Sequence, residues 1–523
     1  MVSQHHRSFF QMGAAEMAGG VASGLFSSQE IVEALIARIE ERDQLIKAVA
    51  VPLFNQARRT ATKLDREVRS GSRIGRLHGV PVTIKESIEV AGTPCTWGVR
   101  SRLDHLANQN DPVIDKLQDH GAILLGKTNV MELLMGCECV NPVYGRSLNP
   151  WNHAKTPGGS SGGEGAIIAY GGSPLGMGTD IGGSIRTPAH FCGIHGIKPT
   201  PGRIATRPPQ GIYHVQKAGN VMSSIGPMAR FVDDLTLALQ VVTEQTEQTE
   251  QYPIAPEQID LSRLRVGYIL DDGILPVAPA IARTIQEAAA ALKASGAEVV
   301  EFKPPHIREM FTGFYSILLA DGGQGLRRTL HEQIESPHLQ KVHKVQSIKP
   351  SLRPIISGIL RLLGQRTVGE LIFPHVGAKT EEMIDRLVQA RALHQQTFIQ
   401  EWRNQQIDVL ICPPFITTAL GHDASLNLSF EGSYGCLFNY LQMPAGVVSL
   451  SQVRTEEARE RQQSKDRVIQ TLSHNERESA GLPVGVQIVA PHYREDLVLA
   501  VMKALETAFQ GKADYPAGKL CCQ

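Results

Sequence analysis

The chain has 523 residues, enough for a large buried core arranged as two or three domains or as one large α/β domain. Its 52 Lys and Arg balance 52 Asp and Glu, so there is no general electrostatic attraction to nucleic acid, and a small molecule is the better-matched partner. The eight cysteines (Cys95, Cys137, Cys139, Cys192, Cys412, Cys436, Cys521, Cys522) are sparse, and Cys137 and Cys139 stand one residue apart rather than the two of a zinc knuckle; they read as reduced thiols in a cytosolic setting, with no metal site.

The opening residues, MVSQHHRSFFQMGAAEMAGGVASGLF, contain no apolar run near the ~20 residues of a membrane span and no basic region followed by an apolar core. They predict a cytosolic start with neither signal peptide nor transmembrane anchor. Ser27 followed by Glu30 is a capping-box pattern, and Ile31, Leu35 and Ile39 continue at helical spacing, which predicts an amphipathic helix. LHGVPVTIKESIEV and GAILLGKTNV are short, apolar and bounded by glycine, as expected of strands in a sheet covered on both faces.

The segment from Thr156 to Thr200 places two glycine-flanked serine sites, Ser160 and Ser184, 24 positions apart. A flexible linker is the first reading of GGSSGG, but small and apolar residues that could be packed follow it, EGAIIAY and SPLGMG. A phosphate loop lacks its Gly-Lys-Ser/Thr ending, and Ile181 stands where a third Rossmann glycine would be needed. Acyl transfer remains, in which a serine attacks a carbonyl while backbone amides hold the oxyanion. DIGGS suits it, since Gly182 and Gly183 let the main chain approach a substrate beside Ser184. No Gly-x-Ser-x-Gly elbow centres on Ser184 and no HExxH occurs; a lysine can serve as base if its neutral form is populated. His195 as base and Cys192 as nucleophile are weaker readings, both better explained as packed side chains.

Further along, TEQTEQTEQ (243–251) is a polar repeat expected to be a solvated connection, and the run from Ala278 is a helix ended by Gly296 and followed by a strand, the βα alternation of a layered fold. In KPSLRPIISGILRLLGQR (349–366), Leu352, Ile355, Ile356, Ile359, Leu360 and Leu363 share one helical face, with Arg353, Ser357 and Arg361 on another. No acid stands between Glu335 and Glu370, whereas six bases do, which suits a helix lying on an anionic bilayer; an ordinary core-facing helix shows the same stripe. The charged stretch 454–479 reads as a surface excursion, and KLCCQ as an ordinary terminus, because Leu520 occupies the cysteine position of a C-a-a-X end.

GVPVTIKES, GGSSGGEGA and GTDIGGSIRTPAHFCGIHGIKPT resemble the amidase signature family, in order from about Ser28 to Ala508. NPVYGRSLNPW, ADGGQGL, LFNYLQMPAGVVSL and GLPVGVQIVAP are similar to its fatty acid amide branch. The resemblance implies an α/β amidase signature fold, a mixed twisted sheet covered by helices on both faces. It implies a single domain over 28–510, with a membrane-docking cap at about 341–372 and a polar insertion at about 454–479, between an N-terminal segment 1–27 and a tail 511–523. Ser184 resembles the nucleophile, Lys85 the base and Ser160 the bridging hydroxyl, with a cis peptide before Ser160. Ile181, Gly182, Gly183 and Ser184 would form the oxyanion hole. Ser161 would support Ser160 by hydrogen bonding, and Asp180 and Arg186 would form a structural ion pair. The implied reaction is hydrolysis of carboxylic amides through an acyl-enzyme, without cofactor, with lipid amides as preferred substrates and a membrane surface as partner. A short-chain or aryl amidase is the alternative, an amidotransferase-type subunit the rival from another class. A homodimer is compatible with this reading, and a peripheral place on membranes from the cytoplasmic side follows from it.

Overall fold

Short apolar runs bounded by glycine form the middle of an eleven-stranded mixed sheet in the computed structural model, which describes residues 9–72, 75–207, 222–331, 336–428, 433–461 and 463–517. The KLCCQ terminus lies outside the described residues. In chain order the strands are β1 (Val49–Pro52), β2 (Pro81–Lys85), β3 (Ile123–Thr128), β4 (Leu175–Asp180), β5 (His195–Lys198), β6 (Ser224–Ala229), β7 (Arg265–Tyr268), β8 (Glu298–Glu301), β9 (Val409–Cys412), β10 (Ala445–Gln452) and β11 (Pro483–Val489). They lie in the order β1-β3-β2-β4-β6-β5-β10-β11-β9-β7-β8. The pairs β3/β2, β2/β4, β9/β7 and β7/β8 are parallel and the remainder antiparallel. Every residue of β2, β3 and β11 is buried, as a sheet covered on both faces requires.

The helices used below are α1 (Ser28–Ile46), α2 (Gly162–Tyr170), α3 (Arg186–Cys192), α4 (Pro279–Ala294), α5 (Arg353–Leu362), α6 (Ser433–Tyr440) and α7 (Arg467–Arg477). Helix α1 starts at the Ser27/Glu30 capping box and buries Ile31, Leu35 and Ile39, as the spacing predicts. Helix α4 is followed by Gly296 and β8. Both elements were legible because cap and period are written in consecutive residues.

Three expectations need correction. The polar repeat at 243–251 is mostly exposed, but Thr246 caps a short helix over Glu247–Gln251, and Thr243 and Thr249 are buried. The stretch 454–479 is an anchored arm: α7 buries Val468 and Leu472, four residues apart, and the Arg461 guanidinium donates to Glu476. Asp466 caps α7 and also accepts from the Thr367 amide at 2.7 Å, tying the arm to the segment after α5. Charge at most positions conceals a two-residue apolar seam.

Helix α5 is inverted relative to an ordinary surface helix. Its polar edge is inside: Arg353 and Ser357 are buried, with Arg353 Nε donating to the Ile348 carbonyl at 3.0 Å and Nη2 to the Gln346 carbonyl at 3.1 Å, and Ser357 Oγ donating to the Gly369 carbonyl. Its apolar edge is outside, with Leu352, Ile355, Ile359 and Leu363 between 46% and 64% exposed and Leu362, which the periodicity did not single out, 90% exposed. The stripe is therefore divided: Leu352, Ile355, Ile359 and Leu363 face out, whereas Ile356 and Leu360 are half-buried and Leu360 lines an internal cavity. Arg353 is not an open basic contact, since it donates to internal carbonyls, whereas Arg361 is exposed and pairs with Glu370 at 3.4 Å. Among the described residues, no helix is long and apolar enough to cross a membrane.

Candidate active site

Parallel neighbours β2 and β4 bring their C-terminal ends side by side, the edge of an α/β sheet where ligands collect. Lys85 ends β2, Ser160 and Ser161 stand just before α2, and residues 179–184 run off β4 into α3. Lys85 is wholly buried; its Nζ lies 2.7 Å from Ser160 Oγ and 2.7 Å from Thr179 Oγ1, with the Thr179 carbonyl at 3.3 Å. Ser184 is 2% exposed, and its Oγ has no hydrogen-bond partner among the described residues. The Gly159–Ser160 peptide is cis. A side chain at Gly159 would place its Cβ 1.9 Å from the Glu138 carbonyl oxygen, so the chain passes too close here for any residue but glycine.

Ser161 does not support Ser160 in the expected way. Its hydroxyl donates to the Thr179 carbonyl at 3.3 Å and its amide to the Ser184 carbonyl at 3.2 Å, so it braces the Ser184 loop against the end of β4.

That loop is held from below by Asp180. Its carboxylate accepts from the Gly183 amide at 2.9 Å, the Ile185 amide at 3.0 Å, Arg186 Nε at 3.0 Å and Arg186 Nη2 at 2.8 Å. Burial alone would raise the Asp180 carboxyl, but the Arg186 charge and hydrogen bonds outweigh it and hold the group well below the usual carboxylate range. Arg186 is fixed in turn by Gln487 Oε1 at 2.7 Å and the Gly435 carbonyl at 2.9 Å, and by Asn439. Asp180 and Arg186 thus form a buried, fully bonded pair under the loop. The Gly183 amide points at Asp180 and is lost to the expected set of four oxyanion donors; Ile181, Gly182 and Ser184 remain.

His195 and Cys192 are occupied elsewhere. His195 Nδ1 accepts from the Ser449 amide at 3.2 Å while Nε2 lies 3.4 Å from Glu506, and the Cys192 thiol donates to the Pro157 carbonyl at 3.3 Å.

Two residues of the cluster were not singled out from sequence. Thr179 is the second hydroxyl on Lys85, and Glu164 of α2 accepts from Thr83 Oγ1 at 2.6 Å and Thr128 Oγ1 at 2.9 Å. Both stand inside glycine-rich motifs, GTDIGGS and GGEGA, whose polar members were the available signal.

A cavity of about 590 Å3 is lined by Ile181 of the serine loop, by Cys137, Phe314, Leu318 and Ile372, by Leu360 of α5 and Leu363 just after it, and by the cationic Lys341 and Arg467. No Asp or Glu lines it among the described residues. Its size and apolar lining are those of a small-molecule site.

Sheet and cluster define a class: an α/β enzyme whose buried centre is organised by hydroxyls and a lysine amine. The amidase family model matches residues 30–499, and the chain belongs to the amidase family, enzymes that hydrolyse amides. It is 35% identical over 451 residues to fatty-acid amide hydrolase 1 of Sus scrofa, covering 83% of this chain and 76% of that one. It is 32% identical over 474 residues to fatty acid amide hydrolase 1 of Caenorhabditis elegans, covering 87% and 81%. A solved fatty acid amide hydrolase superposes with a TM-score of 0.81 at 23% identity, covering 98% of this chain and 87% of that one, a likeness of fold.

Proposed function

We propose that this enzyme hydrolyses long-chain fatty acid amides to fatty acid and amine, with Ser184 as nucleophile, Ser160 as proton bridge and Lys85 as base. The observation that carries the substrate class is the largely apolar, acid-free cavity that Ile181 of the serine loop and Leu360 of α5 both line. The two fatty acid amide hydrolases at 32% and 35% identity favour the same substrates.

The unpartnered Ser184 Oγ is the hydroxyl left to be activated; links of this kind tighten when substrate arrives. Attack on the amide carbonyl forms the Oγ–C bond while the serine proton passes to Ser160 Oγ, whose own proton passes to neutral Lys85. The oxyanion is met by the amides of Ile181, Gly182 and Ser184, Gly183 being held by Asp180. Collapse breaks the C–N bond as the proton returns along the same relay to the leaving nitrogen, which departs poorly as an anion. Water then takes the amine's place and releases the acid by the same route.

Each methylene buried in the cavity is worth about 0.8 kcal/mol, so kcat/KM is expected to climb several-fold per added methylene until the cavity is filled. Turnover of a series of primary amides from C2 to C20 by the purified chain measures this. A maximum at C2 to C4, or on aryl amides, would replace the reading with that of a short-chain or aryl amidase.

Docking of α5 on a membrane belongs to the same reading. Its exposed leucines and isoleucines would enter an anionic bilayer at the end of the cavity, so that a lipid amide could reach Ile181 without crossing water. Ile355→Glu combined with Ile359→Glu is expected to release the protein from vesicles of anionic phospholipid in a flotation assay, with hydrolysis of a soluble short amide retained. Both positions are exposed, where substitutions change stability by about 0.5 kcal/mol or less. Wild type that fails to float, or a double variant that still floats, refutes docking through this face.

A further inference from the structure

Glu164 is a wholly buried carboxyl group built into the same sheet face as Lys85. Lys85 and Thr83 are two residues apart on β2 and so project from one face, and Thr128 of β3 is the register partner of Lys85. Thr83 and Thr128 are the two hydroxyls that donate to Glu164, so its carboxyl is held by the strand neighbours of Lys85. Gly176 of β4, the register partner of Thr83, leaves the room: a Cβ there would lie 1.9 Å from Glu164 Oε2. Three strands thus reserve a place for an acid that takes no part in the relay described above.

We propose that Glu164 is a positioning residue for the Lys85 base, a second proton-holding group whose charge governs how readily Lys85 gives up its proton. The inference rests on the reading of Lys85 as base. Helix α2, which carries Glu164, packs against α3 and against β2, β3, β4 and β6. Of the charged groups around it, Lys85 is the one whose field acts on Glu164. The Cys192 thiol of α3 faces Gly165, and the Cys139 thiol, which also feels Lys85, is pushed up to about 11 by burial and stays neutral.

Burial raises the Glu164 carboxyl to about 8, against the pull of the two threonine hydroxyls and of Lys85. Burial thus brings the acid into the range in which it and the Lys85 amine compete for one proton. Protonated acid with neutral amine, and carboxylate with ammonium, carry the same net charge and differ in the place of one proton, so the two groups titrate as a pair. An ionised carboxylate beside an amine strengthens the amine's hold on its proton. Removing that possibility must weaken it.

The test is the pH dependence of kcat/KM on hexanamide from pH 5 to 10 for wild type, Glu164→Gln, Thr128→Val and Lys85→Ala. Glu164→Gln keeps the shape of the acid, and its acid limb is expected to move to lower pH, with the ratio of rates at pH 6 and pH 9 rising by roughly threefold or more. Thr128→Val removes a donor that favours the carboxylate, and is expected to move the limb the same way by less, which keeps the test open if Glu164→Gln folds poorly. An unchanged acid limb in both variants, or a rate lowered equally at every pH, makes Glu164 a packing residue and overturns the proposal while Lys85 stands. An acid limb unchanged in Lys85→Ala removes Lys85 as base, and the proposal falls with it.

Discussion

Ser184→Ala is expected to lower amide turnover by about 10^4-fold or more and to abolish labelling by a fluorophosphonate, because it removes the attacking oxygen and nothing nearby replaces it. The fold should tolerate the change. Ser184 Oγ makes no hydrogen bond among the described residues, so no partner is orphaned, and the loop is held through main-chain groups, the Ser184 carbonyl by the Ser161 amide and the Gly183 and Ile185 amides by Asp180. The melting temperature of Ser184→Ala should therefore stay close to that of wild type. Measured together, turnover, labelling and melting separate loss of chemistry from loss of structure. A Ser184→Ala protein that still takes the label has another nucleophile.

Lys85→Ala is expected to slow amide hydrolysis by about 10^2 to 10^4-fold, the usual worth of a positioned base. Amides should suffer more than matched esters, because the relay protonates the leaving group on its way out and an alkoxide leaves without that help more readily than an amide anion. The pH optimum should move upward. With the amine gone, the serine proton has no internal acceptor, and the rate depends on hydroxide. This substitution also deletes the buried hydrogen bonds from Lys85 Nζ to Ser160 Oγ, Thr179 Oγ1 and the Thr179 carbonyl, and leaves both hydroxyls underused. Some loss of stability accompanies it, so the amide-to-ester ratio and the pH profile are the decisive readouts rather than the absolute rate. If both match wild type, Lys85 is outside the mechanism.

Glycine-flanked strands, the Ser27 helix and the hydroxyl-rich loops were legible in sequence because each is specified by neighbours within a few residues: a cap, a period, a glycine where the chain must pass close. Local sequence also presented Lys85, Ser160 and Ser184 as candidates on motifs. What it could not show was which donors each group would meet. Ser161 turns to the Thr179 carbonyl and Gly183 to Asp180, because loops from β4 and α2 share one small volume in which every buried polar group must find a partner. Arg186 is fixed by Asn439 and Gln487, some 250 and 300 residues away in the chain. No window of sequence joins them.

Helix α5 separates the two levels of information most clearly. Periodicity determines that Leu352, Ile355, Ile359 and Leu363 share a face, because 3.6 residues per turn is a property of the backbone. It carries no sign: the same stripe serves a helix that packs inward and one that presents its apolar side to the outside. Tertiary structure chose the second for most of the stripe, since Arg353 and Ser357 are the side chains that satisfy the carbonyls of Gln346, Ile348 and Gly369 in the interior, and burying them turns Ile355 and Ile359 out. Sequence by itself determined the strands around Lys85 and Thr128, the helix and strand on either side of Gly296, the family and the Lys85, Ser160 and Ser184 motifs. Only the tertiary structure decided which hydroxyl meets which amine, where Glu164 lies relative to Lys85, and which side of α5 faces out, because these depend on hydrogen bonds between groups brought together from distant parts of the chain.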